Sequence, residues 1–127
     1  MKIKLFTVAA IVFFIVLFIS INWYVNRQDR KYVRVEILNG SGIASAGKKT
    51  ADYLRERQND VICISDAPCD TIERTLVVER TKKNRVHAKK IASQLKSKNI
   101  FCVIDSSLYV DVTVIVGKDY NKYIKER

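Results

Sequence analysis

The sequence predicts an α+β fold: a ferredoxin-like βαββαβ arrangement with an extra C-terminal strand, preceded by one transmembrane helix. Three observations carry this expectation. The first quarter of the 127 residues is an apolar run unlike the rest, which leaves roughly 95 residues for folding, enough for one modest core. Beyond that run, short alternating apolar segments are separated by stretches of helical periodicity. The two halves of this region also resemble each other.

From Leu5 to Val25 there is no charged residue, and the polar exceptions are Thr7, Ser20 and Asn22. The run matches the roughly 20 apolar residues with which a helix crosses a bilayer. A cleaved signal peptide would carry a shorter apolar region, about 7 to 15 residues, ending in small residues. Here the end reads F-I-S-I-N-W-Y-V, and Trp23 and Tyr24 close it, where amphipathic rings settle at the headgroup level. Residues 1–25 therefore read as an uncleaved membrane anchor. Lys2 and Lys4 on one side are matched by Arg27, Arg30 and Lys31 on the other, so the positive-inside bias nearly cancels and charge leaves the orientation open. Residues 26–31 read as a polar linker spanning at most about 20 Å. A domain over 32–120 and a charged tail over 121–127 complete the expected organisation.

Within the domain, Val33, Val35 and Ile37 alternate with Arg34 and Glu36, the pattern of a strand with one buried face. Ile43, Gly47, Thr50, Ala51 and Leu54 then recur at helical spacing, with Lys48, Lys49, Asp52, Arg55 and Glu56 on the other faces. Val61 to Ile64 predicts a second strand, stopped by the breakers in S-D-A-P-C-D. Thr75 to Arg80 predicts a third, and Ala88, Ile91, Ala92 and Leu95 mark the inner side of a second helix. Ile100 to Ile104 supplies a fourth strand, and the β-branched run Val110 to Val116 a fifth. A shift of 41 places superposes K-K-T-A-D-Y-L from Lys48 on K-K-I-A-S-Q-L from Lys89. Two such strand–helix–strand copies folded together predict a split βαβ sheet with both helices on one face.

Three cysteines, Cys63, Cys69 and Cys102, are odd in number and lack C-x-x-C spacing, so neither a closed disulfide framework nor a zinc site is indicated. They read as small buried or half-buried thiols. Cys63 and Cys102 fall on the second and fourth strands, at opposite edges of the predicted sheet, and are expected not to be bonded to each other.

The turn Asn39, Gly40, Ser41, Gly42 raises the question of a phosphate cradle. The dinucleotide fingerprint G-x-G-x-x-G requires a third glycine where this chain has Ser45. The P-loop pattern is a near miss: Gly42 and Gly47 have the right separation, but Lys49 stands where a Ser or Thr should hold magnesium. Asn and Gly tolerate positive φ, and Ser41 can cap the following helix. The four residues are read as a structural turn, with no cofactor.

The stretch V-R-V-E-I-L-N-G-S-G-I-A-S-A-G-K-K-T-A-D-Y-L resembles the opening of the LytR C-terminal domain family, a strand, an N-G-[ST]-G turn and a helix. D-V-T-V-I-V-G-K-D-Y, Asp111 to Tyr120, resembles that family's closing strand, so the resemblance covers about Tyr32 to Tyr120. One departure is Q-N-D at Gln58 to Asp60, where members often have a glycine turn. The resemblance implies a bacterial domain outside the cytoplasmic membrane, either behind a LytR-CpsA-Psr phosphotransferase domain or alone behind a membrane anchor. This chain reads as the second arrangement. The resemblance carries no catalytic residues over.

Charge supplies the remaining signal. With 23 basic and 13 acidic residues the chain carries a formal +10. Between Arg80 and Lys98 lie eight basic residues and no Asp or Glu. Lys82, Lys83, Arg85, Lys89 and Lys90 are the candidate ligand-binding residues, for a wall polymer, anionic lipid or envelope protein. Nucleic acid is disfavoured: base-stacking sheets present aromatics, whereas these strands are aliphatic and Tyr109, Tyr120 and Tyr123 lie near the ends, where edge packing accounts for them. For catalysis, His87 reads as a surface histidine among cations, and Asp66 and Asp70 as loop polarity. The expected function is a non-catalytic, membrane-anchored envelope domain, extracytoplasmic, that binds or scaffolds envelope components. The alternative is a cytoplasm-facing membrane protein whose basic helix binds nucleic acid or a partner.

Overall fold

A computed structural model describes residues 2–28 and 32–124, divided into two units, Met1–Lys31 and Tyr32–Arg127. Part of the expected linker, residues 29–31, and the last three residues of the expected tail lie outside the described residues.

The first unit is one helix, α1 (Lys2–Gln28). Its 22-residue apolar span, Lys4–Val25, is about 33 Å long at 1.5 Å per residue, enough to cross a hydrocarbon core of about 30 Å. Asn22 Nδ2 donates to the Phe18 carbonyl at 3.1 Å, so the one amide side chain in the span is satisfied within the helix.

The second unit runs β1 (Arg34–Asn39), α2 (Ala46–Glu56), β2 (Asp60–Asp66), β3 (Leu76–Glu79), α3 (Val86–Leu95), β4 (Ile100–Cys102), β5 (Val112–Val116) and a closing 3-10 turn, Lys118–Lys122. The order of elements is the one the periodicities predict. Val35 and Ile37 are buried and alternate with half-buried Arg34 and Glu36, and Ala88, Ile91, Ala92 and Leu95 are buried along α3. Ile43 departs from the predicted helical face: it precedes α2 and is 39 % exposed, its place in the core being taken by Ala46.

The strands are arranged differently from the ferredoxin-like expectation. The sheet order is β2-β1-β5-β3-β4. β1 pairs directly with β2, and β3 directly with β4, both in parallel, so neither βαβ unit is split. β5 enters between them, parallel to β1 and antiparallel to β3. The strand taken from the sequence as a terminal addition is therefore the central one. Its burial fits the place: Val112, Thr113, Val114 and Val116 are all fully buried, and the polar Thr113 among them is satisfied by Arg80 of the β3 side and Glu36 of β1, its neighbours on both sides. β2, by contrast, exposes every residue but Val61 and carries a bulge at Ile62, a common way to blunt a sheet edge.

Both helices pack on one face of the sheet, forming a single core with Val35, Ile37, Val61, Val77, Val112, Val114 and Val116. Tyr53 of α2 reaches across to α3, its hydroxyl donating to the Gln94 carbonyl at 2.8 Å. The packed unit continues past Tyr120: Tyr123 is 6 % exposed and lies 3.1 Å from Thr50 Oγ1 through its hydroxyl. Part of the segment expected to be a charged tail thus belongs to the core. On the opposite, open face, Arg80 Nε donates to Thr113 Oγ1 at 3.0 Å, and Thr113 in turn donates to Glu36 at 3.0 Å.

Candidate functional site

The turn after β1 spends its polar groups on itself. Asn39 Nδ2 donates to the Ile43 carbonyl at 2.8 Å, and Asn39 Oδ1 accepts from the Ser41 backbone and hydroxyl at 3.2 and 2.7 Å. The Ile43 N–H donates to Ser41 Oγ at 3.0 Å. Ser41 therefore organises the turn and does not cap α2, whose N-cap is Ser45 with no side-chain bond. A phosphate cradle needs backbone N–H groups aimed outward, and those of Ser41 and Ile43 are turned onto side chains. Gly42 has φ +76°, a left-handed conformation; Gly40 does not, but a Cβ there would meet Ile72 Cγ1 at 2.6 Å. The two glycines are thus required for different reasons.

At the N-terminal end of α3 the predicted cations assemble. Lys82, Lys83 and Arg85 occupy the loop from β3, and Lys89 and Lys90 the helix itself; all five are exposed. Arg85 takes a left-handed φ of 56° at the N-cap, and its Nη1 donates to the Ile100 carbonyl at 3.5 Å. Among the described residues no carboxylate lies within ion-pair distance of these five. The other basic residues of the segment are placed elsewhere: Arg80 on the open sheet face, Lys96 and Lys98 beyond the far end of α3.

Five cations beside the positive end of a helix dipole repel one another and the dipole. The compensation lies underneath, in Glu79, which is fully buried at the end of β3. Its Oε1 accepts from the backbone N–H groups of His87 and Ala88 at 2.9 and 3.2 Å, the first turn of α3. Its Oε2 accepts from the Thr81 N–H and hydroxyl at 3.2 and 3.1 Å and lies 3.2 Å from His87 Nδ1. Burial pushes the Glu79 carboxyl up, but the hydrogen bonds from His87, Ala88 and Thr81 outweigh it and hold the group below the ordinary carboxylate range. The N–H groups that would otherwise receive an anion at this terminus are thereby occupied, so the surface above them acts through its ammonium and guanidinium side chains.

His87, read from the sequence as a surface residue, is 4 % exposed; the helical periodicity that buries Ala88 and Ile91 turns it inward as well. Asp111, also missed, is 3 % exposed and accepts from the Arg34 backbone N–H at 3.0 Å and Nη2 at 3.3 Å. Burial raises its carboxyl while these bonds from Arg34 bring it below the ordinary value. The signal for Glu79 was present in the strand: with Thr75 and Val77 it falls on the side that alternation turns toward the helices. All three cysteines are exposed, against the expectation of buried or half-buried thiols: Cys63 and Cys102 because β2 and β4 are the two opposite edge strands, and Cys69 in the loop that follows β2. Tyr120 is buried, whereas Tyr109 is 77 % exposed and carries the Arg34 guanidinium 4.7 Å from its ring centre. Asp66 and Asp70, with Asn39 and Gly42, line a small hollow of about 310 Å³.

These features define a class: a small two-layer α/β unit with one basic end, in a chain that also carries an apolar helix long enough to cross a membrane. The family model of the LytR C-terminal domain, described as the LytR cell envelope-related transcriptional attenuator, matches residues 32–120, and the chain belongs to that family. The family is described by regulation at the cell envelope, not by a reaction. Neither the curated proteins nor the solved structures yielded a match. At the family's glycine turn, Gln58 takes a left-handed φ of 64°, the backbone a glycine adopts most readily.

Proposed function

We propose that this is a non-catalytic protein anchored in the bacterial cytoplasmic membrane by α1, with the folded unit outside the cytoplasm. There it binds polyanionic envelope material, a phosphate-bearing wall polymer or an anionic lipid surface, through Lys82, Lys83, Arg85, Lys89 and Lys90. The observation that carries the reading is the group of five exposed cations without counter-carboxylates among the described residues. Membership of an envelope-related family supports the location. Because the helix N–H groups are taken by Glu79, recognition is by charge density and tolerates different polyanions.

The core of the second unit is drawn from its own residues, Val33 to Tyr123, so a soluble fragment of residues 32–127 is the test species. It should cosediment with anionic vesicles and with wall material, and not with neutral vesicles. Binding should fall steeply as salt shortens the screening length from about 10 Å at 0.1 M toward about 3 Å at 1 M. Replacing the five cations with Gln removes the charge and keeps helix propensity. Undiminished binding by that folded variant would sink the assignment. Orientation is tested separately, with a reporter active only outside the cytoplasm fused after Arg127; silence there, with activity from a cytoplasmic reporter, would reverse the topology.

A further inference from the structure

We infer that the folded unit carries a second binding site, in the groove between the C-terminal half of α2 and the closing turn, suited to a phosphorylated sugar. The groove measures about 550 Å³, within the roughly 300–1,000 Å³ of small-ligand sites. It is separate from the basic end of α3, and its lining differs in kind. Lys49, Arg57, Lys96 and Lys122 bring four cations to it, Asp52 and Glu56 two carboxylates, with Tyr123 and Ile124 as an apolar floor.

One of the cations is already fixed in place. The Arg57 guanidinium lies 3.4 Å from the centre of the Tyr53 ring, and its Nη1 donates to the Tyr53 carbonyl at 3.1 Å. Tyr53 is itself tethered through its hydroxyl to Gln94 on α3. A guanidinium held from two directions is a pre-ordered planar donor for an oxyanion, and little freedom remains to be lost on binding. Lys96 stands at the end of α3 in a left-handed conformation, φ 53°, which glycine would adopt with less strain. Neither Lys96 nor Lys122 has an ion-pair partner among the described residues.

Asp52 narrows the ligand further. Asp52 is 3.8 Å from Arg55 Nη1, an exposed pair that leaves oxygens able to accept hydroxyl protons. A lining that offers strong donors for an anion, acceptors for hydroxyl groups and an apolar floor for a C–H face matches a sugar ring bearing one phosphate. A bare phosphate would leave the acceptors unused, and a neutral sugar would leave the cations unused.

The test is a titration of the isotope-labelled full chain in neutral detergent micelles, read by amide shifts, with α-glucose 1-phosphate, glucose and inorganic phosphate as separate probes. Glucose 1-phosphate should move the amides of Tyr53, Arg57, Lys96 and Lys122 saturably. Glucose and phosphate should each bind at least about tenfold more weakly, a difference of about 1.4 kcal/mol. Arg57→Gln and Lys122→Gln, both at exposed positions, should weaken the sugar phosphate to a similar degree, whereas Lys89→Gln with Lys90→Gln should leave it unchanged. Absence of saturable shifts, equal affinity for phosphate alone, or unchanged affinity in both groove variants would each overturn the assignment. Vesicle cosedimentation by the Arg57→Gln variant should stay intact, so the groove and the basic end of α3 fail or succeed independently.

Discussion

Glu79 offers the sharpest test of how the basic surface is held. Substitution by Ala removes the acceptor for three backbone N–H groups, those of Thr81, His87 and Ala88. The Thr81 hydroxyl and His87 Nδ1 lie 3.2 Å apart and can satisfy each other, so they are left out of the sum. At about 1–3 kcal/mol for each unsatisfied buried group, the loss from three such groups is on the order of 3–9 kcal/mol. That is a large part of the roughly 5–15 kcal/mol of a typical domain. Glu79→Gln keeps the shape but offers one accepting oxygen where there were two, so either α3 or Thr81 loses its partner, at about 1–3 kcal/mol. Urea unfolding of residues 32–127, followed by far-ultraviolet circular dichroism, should show a lower midpoint with an unchanged slope. The pH dependence has a definite sign. Because the folded-state pKa of Glu79 is depressed, its contribution is complete above the unfolded value of about 4.3 and is lost as pH falls through the lower folded value. Wild type and Glu79→Gln should therefore converge in stability in strong acid. A Glu79→Ala variant within about 0.5 kcal/mol of wild type at pH 7 would refute the reasoning, since even one orphaned N–H exceeds that.

Other expectations follow from the same geometry. Gln58→Gly should raise the melting temperature, because relief of a left-handed residue, about 1–2 kcal/mol, outweighs the roughly 0.5–1 kcal/mol of extra glycine chain entropy; a lower melting temperature would contradict it. Gly42→Val should destabilise by about 2 kcal/mol or more, since it combines a β-branched residue at φ +76° with a Cβ 2.9 Å from the Asp70 carbonyl oxygen. Gly40→Ala should also destabilise, yet be partly rescued by Ile72→Ala, because its obstacle is the Ile72 side chain; a double-mutant cycle with no coupling would remove that explanation. ATP or a dinucleotide should leave the melting temperature of the fragment unchanged, and saturable stabilisation would reopen the phosphate reading of the Asn39 turn.

The order of elements was legible because each has an unambiguous period: Val33, Val35 and Ile37 at two, Ala88, Ile91, Ala92 and Leu95 at a helical spacing. Strand order was not, because it depends on which strand is buried on both faces. The pattern V-D-V-T-V-I-V from Val110 to Val116 alternates through Val114 much as β1 does around Arg34 and Glu36, and only the β-branched Thr113 and Ile115 on its second face hint at burial there. At the basic surface, the sequence located the cations through the absence of acids from Arg80 to Lys98. The carboxylate beneath them escaped, since Glu79 reads as an ordinary polar residue at a strand end until the fold turns it under α3. Ser41 and Gly40 show a finer limit. Residue type suggested a helix cap and a positive φ, whereas hydrogen bonding within the turn and the approach of Ile72 set their actual roles.

The central position of β5 also bears on the order in which the chain can be completed. Residues 34–102 hold two strand–helix–strand units with no strand shared between them, and β1 and β3 meet only through residues 112–116. A growing chain therefore carries two half-sheets, each with an inner edge still bare, until β5 arrives. Such edges invite wrong pairing, and the contact that closes them joins Val35 to Val112 across most of the domain, a separation that slows folding. Truncation before Val112 should leave two unjoined halves, and a cell producing this protein gains from keeping them apart until the final strand is delivered.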